Sequence, residues 1–154
     1  MRKNGTTEMV LQVENRQKKV KIDRRRIRIK LGRLLDALAC PDRELSVLFV
    51  DDQSMRELNR RFRSLDRTTD VLSFPMQEGP DSGINPFLLG DVVICADAAG
   101  RQARSRKHTV EKEVDVLLIH GVLHLLGYDH VGLERRRREM RQRERELLGI
   151  LSGV

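Results

Sequence analysis

Apolar positions along the chain alternate between strand-like and helix-like spacing, and the changes of period mark the elements. Val10-Leu-Gln-Val-Glu14 predicts a short strand. Asp23 predicts the cap of a helix whose apolar residues Ile27, Leu31, Leu34, Leu35 and Leu38 recur at helical spacing and stop before Pro41. Leu45 to Val50 is an apolar run of strand length. Asp51 or Asp52 then caps a helix carrying Met55, Leu58 and Phe62 on one face. Thr69 to Phe74 predicts a strand halted by Pro75, and Glu78 to Pro86, rich in glycine and proline, predicts a loop. Leu89 to Cys95 predicts a further strand, and Asp97 opens a helix through about Arg106. Thr109 caps a longer helix ending at Gly127. A final helix from about Leu133 to Leu148 buries Met140, Leu147, Leu148 and Leu151.

Strands and helices mix without strict alternation, which predicts an α+β fold: about four strands in a small mixed sheet, packed with about five helices. Val114, Val116, Leu117, Leu118, Val122, Leu123, Leu125 and Leu126 make the helix before Gly127 apolar nearly all round, so it is expected at the centre. Met1 to Glu8 reads as a flexible tail, and residues 9–154 as a single metal-binding domain. No signal peptide or bilayer-length apolar stretch is seen, so a soluble, cytoplasmic protein with no membrane partner is expected. Cys40 and Cys95, in no CxxC pattern, read as two buried thiols in a reducing compartment.

Composition adds a partner class. The chain of 154 residues is 34% charged with a net charge of +7 and a pI near 10.0. Arginine supplies most of the positive charge, and its planar fork matches phosphate. RNA is the favoured partner, with an anionic membrane the weaker one. Two basic groups carry few nearby acids: Lys18, Lys19, Lys21, Arg24, Arg25 and Arg26, and Arg101, Arg104, Arg106 and Lys107. The arginine run from Arg135 to Arg138, with Arg141, Arg143 and Arg145, is interleaved with Glu134, Glu139, Glu144 and Glu146 and reads as a solvated, self-paired face. Aromatics make up only 3% of the chain, which argues against base stacking and for backbone contacts that weaken with salt.

The candidate chemistry lies on the apolar helix. His120 and His124 are four apart, so both leave one face. Gly127 can take the left-handed conformation and turn the chain, bringing His130 to the same face. Three imidazoles make an open zinc site with its fourth position left to water or substrate, and two histidines on such a helix are costly to bury without partners. The spacing is that of the metzincin proteases, but their general-base glutamate is replaced here by Gly121. Metal with a basic surface therefore points to phosphodiester chemistry, and a metallopeptidase takes a lower place. Among other residues, Asp129 is expected to cap or form a turn rather than orient a ligand histidine. Asp70 could hold a ligand histidine, hold Arg63, or merely start its strand. His108 reads as solvent-facing.

His120-Gly-Val-Leu-His-Leu-Leu-Gly-Tyr-Asp-His130 closely resembles the signature of the YbeY family, bacterial rRNA maturation factors described as single-strand-specific endoribonucleases. Leu58-Asn-Arg-Arg-Phe-Arg63, Thr69-Asp-Val-Leu-Ser-Phe-Pro75 and Leu89-Gly-Asp-Val-Val-Ile94 follow in the family's order, so the likeness spans about Leu45 to Leu148. The resemblance implies a zincin-like fold whose central helix carries the metal ligands. It implies one Zn2+ per chain on His120, His124 and His130, with Arg63 as the catalytic or substrate-positioning arginine. It further implies action on rRNA precursors, at the 3′ end of 16S rRNA, in association with the ribosome or its small subunit. The alternative is a ribosome-assembly factor whose metal is structural.

Overall fold

The computed structural model describes residues 11–76 and 87–128, the backbone of 134–136, and residues 137–154. The predicted tail Met1 to Glu8, the loop from Glu78 to Pro86, Asp129 and His130 lie outside the described residues. In chain order the elements are β1 (Leu11–Asn15), α1 (Arg24–Ala37), β2 (Glu44–Val50), α2 (Asp52–Arg63), β3 (Val71–Pro75), β4 (Leu88–Cys95), α3 (Ala96–Arg106), α4 (Val110–Leu125) and α5 (Glu134–Ser152). This is the expected α+β arrangement, although α5 runs four residues past Leu148.

The sheet order is β1-β2-β4-β3. β1, β2 and β4 are parallel, and β3 pairs with β4 antiparallel. Alternation along the strands divides the core into two. Val47, Phe49, Val92 and Ile94 face the larger cluster, with Leu31, Leu34 and Leu35 of α1, Leu117 and Leu118 of α4, and Met140, Leu147 and Leu151 of α5. Val50, Val93 and Cys95 face the other way, onto Met55 and Leu58 of α2. The predicted apolar face of α2 ends early, because Phe62 remains 59% exposed.

Local chemistry explains the helix boundaries. Asp23 accepts from Arg26 N, Asp51 from Ser54 N and Thr109 from Lys112 N, satisfying amides that the first turn leaves free. α3 starts differently: Cys95 precedes it without a side-chain cap, and Asp97 lies inside the first turn.

Charged groups interrupt the expected apolar surface of α4. Lys30 of α1 is 1% exposed and its Nζ lies 2.7 Å from Asp115 of α4. Burial pushes the Asp115 carboxyl above its ordinary range, and the Lys30 ammonium opposes the shift. Glu113 is also fully buried, held by Arg106 at 3.0 Å and by His108 at 2.6 Å. His108 is therefore a partner of a buried carboxylate and not the solvent-facing residue expected. Cys95 is buried as expected, while Cys40 is only half-buried.

Candidate metal centre

α4 enters the site under tight packing. A Cβ added at Gly121 would stand 2.5 Å from Val92 Cγ1, so the helix touches β4 at the position following His120. The position that carries glutamate in metzincins thus faces the sheet, and no carboxylate fits there. Ser73 Oγ of β3 donates to the Gly121 carbonyl at 3.0 Å and ties the helix to the sheet edge.

The helix ends in a glycine turn. Gly127 has φ +87; its N–H reaches His124 O at 3.0 Å and the Tyr128 N–H reaches Leu123 O at 2.9 Å. These two bonds form a Schellman end, which reverses the chain and needs a residue free to adopt positive φ. The predicted turn is present; His130, which it was expected to deliver, lies outside the described residues.

His120 and His124 line one cavity of about 700 Å³ together with Arg63, Arg67, Asn59 and Asp70. Arg63 is the last residue of α2, and it is exposed. Ser64 follows with φ 59 and ends the helix. Buried Asn59 donates through Nδ2 to Arg67 O at 2.9 Å, pinning the segment that walls the cavity. Of its three anticipated roles Asp70 takes the plainest, leading into β3: its carbonyl accepts from Cys95 N at 2.8 Å, while its carboxylate accepts from Gln102 Nε2 of α3 at 3.1 Å.

Glu144 was expected on a solvated face. Instead its carboxylate sits against Nε2 of His120 and is 16% exposed. Nothing in the composition of α5 distinguishes Glu144 from Glu139 or Glu146; only its place in the third dimension does. Arg143 beside it pairs with Glu146 at 3.1 Å and donates to Ala37 O.

A second donor cluster carries no signal in the sequence. Asp52, Cys95 and Asp97 present ligand atoms within 4.8 Å of one another, and they form the sole such group of three found among the described residues. Its charges are already matched. Arg101 binds Asp52 with both guanidinium nitrogens at 2.7 and 2.9 Å, which holds that carboxyl below its ordinary range. Asp97 accepts from the Asp52 backbone N–H at 2.8 Å and meets Lys19 at 3.6 Å. Burial pushes the Cys95 thiol up to about 11, so it is neutral at physiological pH. A metal would have to displace Arg101 and deprotonate that thiol; as built, the cluster latches α2 to α3.

The two imidazoles fit a metal by donor chemistry: they leave one face of one helix, open onto a cavity, and one is backed by a carboxylate, as ligand histidines commonly are.

A family model described as endoribonuclease YbeY matches residues 12–152. The chain is 49% identical over 139 residues to an endoribonuclease YbeY of Syntrophotalea carbinolica, covering 90% of this chain and 93% of the relative. It is 42% identical over 146 residues to one of Syntrophus aciditrophicus, covering 94% and 91%. Among solved structures, the solution structure of TM1509 from Thermotoga maritima superposes with a TM-score of 0.65 at 27% identity, covering 93% of this chain and 89% of that one. No helix among the described residues is long and apolar enough to cross a membrane.

Proposed function

The chain belongs to the YbeY family, and from that premise we propose that it is a metal-dependent endoribonuclease acting on single-stranded RNA, with rRNA precursors and the small ribosomal subunit as its setting. The observation that carries the reading is the convergence of His120, His124 and Arg63 on one cavity. The metal would be zinc, held by His120, His124 and His130. The chemistry supplied by zinc bound there is polarisation of a phosphoryl oxygen and activation of water.

The chain's own residues account for the remainder. Glu144 backs His120 from α5 and fixes the orientation of its ring. Arg63 offers a planar guanidinium to the non-bridging oxygens of the scissile phosphate, where negative charge grows in the transition state. Asn59, through Arg67 O, keeps the opposite wall in place. The peptidase alternative weakens because Gly121 is pressed on Val92 and cannot carry a base. The structural-metal alternative weakens because structural sites are closed, whereas His124 is exposed.

The test is cleavage of a single-stranded rRNA-precursor transcript by wild type and His124→Ala, with circular dichroism and metal content recorded on the same samples. A folded, metal-depleted and inactive variant is expected. Equal cleavage by both proteins would identify contaminating ribonuclease and favour an assembly factor.

A further inference from the structure

The face of the sheet that carries α2 is only partly covered, and the uncovered part forms a groove of about 440 Å³. One cross-strand row runs along it: Gln12 opposite Ser46, Ser46 opposite Asp91, and Asp91 opposite Phe74. Ser46 Oγ donates to Asp91 Oδ1, and no hydrogen bond to the second oxygen of Asp91 is found among the described residues. At the aromatic end of the row, Phe62 of α2 meets Phe74 edge to face, with centroids 5.3 Å apart and an interplanar angle of 70°. The Arg61 guanidinium lies 5.6 Å from the centroid of Phe62.

This groove adjoins the candidate cleavage site. Phe62 and Phe74 line the groove, while their chain neighbours Arg63 and Pro75 line the cavity of His120 and His124. The two cavities are thus the two sides of one wall. Arg63 and Phe62 are adjacent in the chain, so an RNA strand that engages Arg63 runs close to the Phe62 end of the groove.

We infer that the groove between Phe62, Phe74 and Asp91 is a nucleobase subsite for the RNA strand that Arg63 and the histidines engage. The inference rests on the endoribonuclease reading and extends it to how the substrate is gripped. Three observations select a base as occupant. The groove's own lining holds Glu14 and Asp91 and no lysine or arginine, the Arg61 guanidinium lying outside it against the Phe62 ring, so its floor disfavours phosphate. An exposed phenylalanine offers the π-face on which unpaired bases stack. The second oxygen of Asp91 is an acceptor suited to an exocyclic amino group, so adenine and cytosine are favoured over uracil. Scarcity of aromatics in the chain predicted recognition without stacking; two of its four phenylalanines nevertheless meet beside the site.

The chain contains no tryptophan, so Phe62→Trp places the chain's sole tryptophan in the groove, where it can be excited selectively over Tyr128. The full-length variant would be titrated with a labelled oligoadenylate decamer and with an abasic ribose-phosphate strand of equal length. Fluorescence quenching by oligoadenylate alone is expected, while label anisotropy follows binding of both. Phe62→Ala should weaken oligoadenylate binding by on the order of ten-fold, the effect of one lost stacked base. It should leave abasic binding and metal content unchanged. Asp91→Asn should reduce the preference for oligoadenylate over oligouridylate. RNA bound and cleaved with no quenching, and with Phe62→Ala equal to wild type, would overturn the subsite while sparing the endoribonuclease reading; a groove that docks protein gives that result. RNA neither bound nor cleaved by wild type would overturn both.

Discussion

Replacing Gly121 by alanine sets two effects of opposite sign against each other. In a helix interior, alanine is favoured over glycine by about 1 kcal/mol. Against this, the new Cβ would lie 2.5 Å from Val92 Cγ1, 3.1 Å from Cγ2 and 3.3 Å from Cβ. Val92 is fully buried and β-branched, so it has little rotamer freedom with which to yield. Overpacking of this kind costs about 1–3 kcal/mol, and the net effect should be destabilisation by about 0–2 kcal/mol. Val92→Ala alone should cost roughly 2 kcal/mol for two buried methyl groups and the space they leave. In the double variant the new methyl occupies the vacated space, so the pair should be less destabilised than the sum by about 1–2 kcal/mol. Urea unfolding in the presence of chelator reads these values without a contribution from metal binding. Stabilisation by Gly121→Ala, with additive behaviour in the double variant, would refute the close approach of α4 to β4. It would also remove the physical reason for the missing carboxylate.

Lys30→Met should cost about 3–5 kcal/mol by leaving Asp115 buried and unpaired, whereas Lys30→Met with Asp115→Leu should recover most of that loss, both read by urea unfolding. Arg63→Ala should lower cleavage on the order of a hundred-fold or more with metal content retained; loss of metal instead would make Arg63 structural. Because Arg101 holds the Asp52 carboxyl below its unfolded value of 3.8, the folded state binds that proton less tightly than the unfolded state does. The stabilisation is therefore present above 3.8 and lost as pH falls through the folded value. Acid titration of Arg101→Gln against wild type should show a stability gap at neutral pH that closes on acidification.

Elements with local signals were legible in the sequence. Asp23, Asp51 and Thr109 each cap the helix they precede, and Gly127 makes its turn, because caps and turns are decided by neighbours in the chain. Strand positions followed because alternation is also local. The buried Lys30–Asp115 pair joins residues 85 apart, and no window of sequence marks either as internal. Glu144 shares the composition of its exposed neighbours and is singled out only by the packing of α5 on α4. Phe62 has the periodicity of a core residue, yet α2 carries it past the covered part of the sheet. Asp52, Cys95 and Asp97 meet because two parallel strands end side by side, which only the strand order reveals.

The most direct test of the metal assignment is X-ray absorption of the zinc-loaded protein. Binding by His120, His124 and His130 predicts a first shell of nitrogen and oxygen at about 2.0–2.1 Å, with multiple scattering from imidazole and no sulfur. A zinc–sulfur distance of about 2.3 Å would place the ion on a cysteine thiolate, as in the cluster of Asp52, Cys95 and Asp97, and contradict the histidine site.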